Sequence, residues 1–288
     1  MFHYLMEEMM LETLKDAKQS IHDNPISSEW RGTNYANFGS IADETLPLNI
    51  IANKDITPEE ILTELAGGGA ADPKVWKPGT FYHQLLETVY DISKRFILDH
   101  ARRDIFELKN HLDSQKDSNI SGIMGRYYGQ WLDIKRNLER LWYYESHLLI
   151  SRLYFYLARY PEWTPNNIAD HVFCAKSEYQ FDGSKLHISE NSKIDLYRQN
   201  GTNVVIDVKT GEQKSYHYLT VVGYALALES SPVEVNEVNI GCIIYVDFSN
   251  RDDPIPKIKC VFHPLSDAYR QDFIEELRGK INWYAMNK

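Results

Sequence analysis

Cysteine is scarce in this chain: three among 288 residues, Cys174, Cys242 and Cys260, widely separated and forming no C-x-x-C pair. Three thiols fall short of the four ligands a structural zinc or iron-sulfur centre takes, and they make no disulfide framework. They read as reduced core or near-core thiols of a cytoplasmic protein. Long apolar runs are also missing. The nearest approach, "LWYYESHLLISRLYFYLARY", carries Glu145, His147 and two arginines, which argues against a membrane span and a membrane partner. Basic residues are outnumbered, 31 Lys and Arg against 41 Asp and Glu, for a net charge of -10. Such a balance excludes a broad, non-specific nucleic-acid surface but leaves room for a narrow basic groove. The N-terminal "MFHYLMEEMMLETLKDAKQ" has acids where a secretory signal carries bases. No internal repeat or low-complexity segment is present.

What the chain does contain is enough apolar residue, 43%, to bury one large core or two smaller ones. Residues 1 to about 23 read as helical, and 24 to 80 as irregular, punctuated by "HDNPISSEWRGTNYANFGS" and "AGGGAADPKVWKPG". From Thr80 the apolar residues Phe81, Leu85, Val89, Ile92 and Phe96 recur at helical spacing, and "IMGRYYGQWLDIKRNLERLWYYESHLLISRLYFYLARY" continues the pattern. After "PEWTPNN" the period falls towards two. "HVFCAKSEYQF", "KLHIS" with "KIDLYR", and "NVVIDVK" read as three antiparallel strands joined at Asp182-Gly183 and Asn200-Gly201. A helix, "YHYLTVVGYALALES", two further strands, "EVNIGCIIYVDF" and "KIKCVFHPL", and a last helix, "DAYRQDFIEELRGKINWYAM", complete an α+β chain.

The chemistry concentrates in "SKIDLYRQNGTNVVIDVKTG". Side chains alternate across a strand, so Asp207 and Lys209 share one face while Ile206 and Val208 take the other. Alone, a D-x-K pair is a solvated surface ion pair. With Asp195 on the preceding strand it becomes a two-carboxylate site of the kind that holds Mg²⁺ or Mn²⁺, neutralises phosphate charge and activates water, with an amine alongside to hold or help deprotonate that water. The hairpin is then constrained. A strict two-residue Asn200-Gly201 turn sets Asp195 opposite Ile206, on the wrong face; a longer loop or a bulge sets it opposite Asp207. The metal-site reading therefore predicts an irregular hairpin.

Asp195, Asp207-Val208-Lys209 and the following helix resemble the PD-(D/E)xK nuclease superfamily, in particular its RecB-like branch. "GTFYH", Gly79 to His83, is similar to that branch's upstream G-x-x-x-H element. The helix after the D-x-K strand typically carries Q-x-x-x-Y; here Tyr224 stands, with Thr220 in place of Gln. Together with "SSEWRGTNYAN", "SEYQFDGSKLHIS" and "GYALALESS", most of the chain resembles the archaeal CRISPR-associated RecB-like nuclease family of spacer acquisition.

The resemblance implies an N-terminal region over 1–78 and a nuclease domain over 79–288, interrupted by a long helical insertion at about 100–165. It implies metal-dependent cleavage of DNA, exonucleolytic on single strands or single-stranded ends, in the company of other CRISPR adaptation proteins. His83, Asp195, Asp207 and the Val208 carbonyl are the implied metal ligands, Lys209 acts on the nucleophile, and Tyr224 faces the substrate. Members commonly hold a [4Fe-4S] cluster on one N-terminal and three C-terminal cysteines, a set absent from this sequence, so no cluster is expected. Thr220 and the missing cysteines also admit a catalytically weak subunit that serves as a structural partner in an adaptation complex.

Several other residues are weighed against solvent. Glu87, one turn beyond His83, reads as solvated, and Glu178 is a reserve metal ligand on a polar sheet face. Lys193, Arg198 and Lys214 flank the hairpin as candidate phosphate contacts, though charges there are usually solvated. The aromatic run at 141–160 has stacking chemistry, but its helical spacing favours core packing.

Overall fold

The computed structural model describes residues 14–30, 41–66, 78–99, 107–125, 132–159, 164–172, 176–189, 192–198, 203–210, 212–230, 237–250 and 255–288. They form two compact units, one made of Met1–Gly69, Glu178–Tyr245 and Lys259–Lys288, the other of Ala70–Ser177 and Val246–Ile258.

The first unit is built on a sheet of β1 (Lys176–Gln180), β2 (Lys193–Arg198), β3 (Val204–Lys209), β4 (Ile240–Asp247) and β5 (Lys257–Pro264), in that spatial order. β2 and β3 are antiparallel. β3 and β4 are parallel, which demands a crossover, and helix α8 (Tyr218–Ser230) lies in that connection. α8 is apolar all round, so no amphipathic stripe marks it. Such a helix belongs in a core, and every residue from Leu219 to Ser230 is buried. Glycine lets it approach its neighbours: a Cβ on Gly223 would lie 2.5 Å from Leu48 and 2.7 Å from Phe273. The partners are α2 (Leu48–Ile51) and the C-terminal α9 (Asp267–Asn287), and the same core takes in Tyr197, Val205 and Ile243 from one sheet face. On the other face Val204, Ile240 and Cys242 pack with Ala17 of α1, the helix at 14–23.

The α+β architecture and the final helix match the sequence expectation, with Cys242 on β4 and Cys260 on β5. Three local expectations are corrected. The stretch 24–80 is not wholly irregular, since α2 and α3 (Pro58–Leu65) lie within it. α3 carries a full capping box: Glu60 N–H donates to the Thr57 hydroxyl, Thr57 N–H donates to Glu60 Oε2 at 2.8 Å, and Pro58 opens the helix. "TPEE" was the available signal. "KLHIS" is not a strand either. Ser184–Leu186 is a 3-10 turn, His187 adopts φ 55°, and Ile188 makes a single parallel bridge to Leu46. Asp182 initiates this turn by accepting the Ser184 N–H at 3.0 Å. Finally, the first strand is shorter than "HVFCAKSEYQF", because His171 and Val172 end helix α7 (Pro165–Val172).

The second unit is helical, with α4 (Pro78–Asp99), α5 (Leu108–Met124), α6 (Leu132–Arg159) and α7 packed together. The aromatic run of α6 divides. Leu141, Trp142, Leu149, Leu153 and Tyr156 are core, as their spacing predicts, whereas Tyr143, Tyr154 and Phe155 are exposed. Glu145, buried on α6, has its carboxyl pushed up to about 7 by burial, against the nearby charge of Arg152. A carboxyl raised above its unfolded value gives stability that is complete below the unfolded pKa and lost as pH rises through the folded one. Glu145→Gln should therefore gain on wild type between about pH 5 and pH 8, by on the order of 3 kcal/mol. Denaturant titrations at both ends of that window check it; an unchanged difference between the two proteins refutes it.

Candidate active site

Cross-strand pairing between β2 and β3 runs Arg198↔Val204, Tyr197↔Val205, Leu196↔Ile206. This register leaves five residues, 199–203, between the paired ends and places Asp195 opposite Asp207. It is the arrangement the two-carboxylate reading requires, and a two-residue turn cannot produce it. Asn200 and Gly201 themselves lie outside the described residues. Beyond Leu196↔Ile206 the ladder changes character. The N–H of Val208, which points towards β2, donates to Asp195 Oδ2 at 2.7 Å. Since the N–H and C=O of one strand residue point to the same side, the Val208 carbonyl also faces β2, beside Asp195. A carboxylate thus occupies the position of a backbone acceptor.

Asp207 is 3% exposed. A buried carboxylate needs a partner, and Lys209 Nζ supplies one, donating to Oδ1 at 3.2 Å and lying 2.9 Å from Oδ2. Burial, the largest influence on Lys209, pulls its pKa down; the charges of Asp207 and Asp195 and the hydrogen bond to Asp207 outweigh it, and the amine ends above its ordinary value. Lys209 is therefore a cation at neutral pH. As a cation it can donate to a water or a phosphate.

The parallel register sets Tyr245 of β4 beside Lys209. Its phenol, only 7% exposed, is pushed up to about 12 by burial and by the Asp207 charge. Tyr245 reaches His217, in the turn before α8, with 3.2 Å between its hydroxyl and Nδ1 and the rings stacked at 5.7 Å. His217 is held down at about 4 by burial and by Lys209 and Lys214. The turn is anchored by Tyr216, whose hydroxyl donates to Asp55 Oδ2 at 2.8 Å and lies 3.0 Å from Asn53 Oδ1. Sequence reasoning missed both His217 and Tyr245. Only the register across two parallel strands brings them to Lys209, and neither belongs to a local pattern.

His83 is half-buried on α4, in the helical unit, while Asp195, Asp207, Val208 and Lys209 belong to the sheet unit. Tyr224 is 6% exposed and packs edge-to-face on Phe181 at 5.8 Å, inside the α8 core. Thr220 is likewise buried. Glu87 and Lys193 are exposed. Lys214 is ion-paired at 3.6 Å with both Asp55 and Glu212. The side chains of Glu178 and Arg198, together with Cys174 and "RGTNYAN", lie outside the described residues. Among the described residues no three His, Cys, Asp or Glu side chains converge; the β2–β3 register and the Val208 N–H bond bring Asp195, Asp207 and the Val208 backbone together. Their carboxylate and carbonyl oxygens are hard donors, which suits Mg²⁺ or Mn²⁺ and not a soft metal. No described helix is long and apolar enough to cross a membrane.

The family model described as CRISPR-associated exonuclease Csa1 matches residues 1–284. A curated relative carrying that same description, from Saccharolobus solfataricus, is 24% identical over 200 residues, 66% of this chain. The match spans 62% of the relative's own length. The resemblance drawn from Asp195, Asp207-Val208-Lys209 and the neighbouring elements thus agrees with a match over nearly the whole sequence, and the chain belongs to the Csa1 family of CRISPR-associated exonucleases.

Proposed function

We propose that this chain is a metal-dependent deoxyribonuclease that trims single strands or single-stranded DNA ends during CRISPR spacer acquisition. The family description supports a nuclease. The single observation that carries the metal-dependent reading is the β2–β3 register, which sets Asp195 against a buried Asp207 already paired with Lys209.

Asp195, Asp207 and the Val208 carbonyl would hold the cation. Once bound, a divalent ion neutralises charge on the phosphate and makes water a stronger nucleophile. The protein's own residues do the rest. Asp195 is oriented by the Val208 N–H, so its carboxylate does not swing away from β3. Lys209, kept cationic by Asp207, donates to the attacking water or to a non-bridging phosphate oxygen and stabilises charge in the transition state. The proton leaving the water passes to solvent or to a substrate phosphate.

The test is a calorimetric titration of Mn²⁺ into wild type and Asp195→Ala, with labelled single-stranded and duplex DNA incubated alongside, with Mg²⁺, with Mn²⁺ and with EDTA. Saturable binding and cleavage that both vanish in the variant, with cleavage abolished by EDTA, are the expected result. Wild type that takes up no Mn²⁺ and leaves both DNAs intact defeats the proposal and favours an assembly subunit of an adaptation complex.

A further inference from the structure

His217 has one ring nitrogen fully engaged and the other without a partner among the described residues. The backbone N–H of Lys214 lies 3.4 Å from Nδ1, and a backbone amide can only donate. Nδ1 is therefore an acceptor and the hydrogen sits on Nε2. It follows that Tyr245 also donates, its hydroxyl hydrogen directed at Nδ1 across 3.2 Å. Two donors on one nitrogen select a single neutral tautomer and fix the ring plane. Nε2–H finds no acceptor among the described residues.

The surroundings define what such an acceptor would be. His217 lies within the field of two ammonium groups, Lys209 and Lys214, whose joint effect outweighs that of the Asp55 carboxylate paired with Lys214. Lys209 is the cation beside the carboxylate pair, and Tyr245 stands next to it in the parallel register. A neutral N–H donor on a rigid ring, within the field of two ammoniums, suits an oxygen of a phosphodiester. It binds that oxygen without adding charge.

We propose that His217 is a DNA-backbone ligand: its Nε2–H donates to a non-bridging phosphate oxygen of the strand lying over Lys209, and Tyr245 is the positioning residue that holds the imidazole in the donating tautomer. The contact rests on the nuclease reading for its place in the reaction, but it concerns binding alone.

Binding is measured with a fluorescent single-stranded oligodeoxynucleotide in Ca²⁺, for wild type, His217→Phe, His217→Gln and Tyr245→Phe. Loss of one neutral hydrogen bond should raise Kd about 3- to 10-fold in His217→Phe. His217→Gln, which keeps an N–H donor, should recover part of it. In Mg²⁺ His217→Phe should show the loss chiefly as a raised KM. A methylphosphonate scan of the oligonucleotide should find one linkage whose replacement weakens wild type but not His217→Phe, an outcome that loosened packing does not give. Nitrogen-15 spectra of histidine-labelled protein, assigned by the signal missing in His217→Gln, should show Nε2 protonated in wild type, independently of how any variant folds.

Equal Kd values for wild type and His217→Phe overturn the proposal. So do a hydrogen on Nδ1 and a wild type that does not bind the oligonucleotide. Because binding is read without turnover, a wild type that binds DNA and cuts none refutes the nuclease reading alone, and the His217 contact still stands or falls on its own Kd ratio.

Discussion

Asp207→Asn should lower DNA cleavage by about 10²- to 10³-fold, the range expected when a preorganised charge is removed from the reacting centre. The substitution keeps the shape of a side chain that is 3% exposed, so it leaves no cavity. It removes the carboxylate that would hold a cation. It also removes the anion that keeps Lys209 charged. Burial is the largest influence on that amine and acts to lower its pKa; with Asp207 neutral, only Asp195 opposes it. The variant should consequently lose Mn²⁺ binding in calorimetry and show a Lys209 pKa below the wild-type value. Lys209→Met supplies the contrast. It should retain Mn²⁺ binding while cleavage falls, since in the proposed function the ammonium stabilises the transition state and is no ligand. Asp207→Asn cleaving within about tenfold of wild type would show that the carboxylate is a structural partner of Lys209 and nothing more.

How much of this site could be read in advance depended on range. Asp207 and Lys209 share a strand face by period alone, and the register of Asp195 followed once the hairpin was required to be irregular. The final helix and both later strands were legible from their apolar spacing. What escaped was of two kinds. α3 was hidden by a turn-rich neighbourhood, although Thr57 and Glu60 announced it. His217 and Tyr245 were invisible for a deeper reason: one lies before α8 and the other on the strand after it, and their meeting is a product of the crossover. "KLHIS" failed differently. Its alternation suits a strand, but Asp182 bonds its own backbone two residues on and turns the chain first.

The second large effect concerns the frame that carries β3 and β4. Arg270 of α9 is wholly buried, and its guanidinium is satisfied four ways: Nε donates to Leu265 O at 2.9 Å, Nη2 donates to Val238 O at 3.0 Å and to Glu229 Oε1 at 3.1 Å, and Nη1 pairs with Glu229 Oε2. Glu229 closes the ring by accepting the Val238 N–H at 2.9 Å. The end of α8, the entry to β4 and the start of α9 are thereby tied at one point. Arg270→Met fills much of the same volume but strands the Glu229 carboxylate in the core with two backbone carbonyls unpaired. Breaking a buried pair from one side costs about 3–5 kcal/mol, and urea denaturation should show that loss. The double variant with Glu229→Met should recover part of it, since replacing both charges removes the stranded anion, but not all, because the Val238 N–H and the carbonyls of Leu265 and Val238 stay unpaired. Hydrogen exchange places the damage: amides of α8 and β4 should lose protection first, while the helical unit containing α4 to α6 keeps its own. Arg270→Met within about 1 kcal/mol of wild type would mean that water reaches this pocket and that the sheet unit is held by apolar packing around α8 alone.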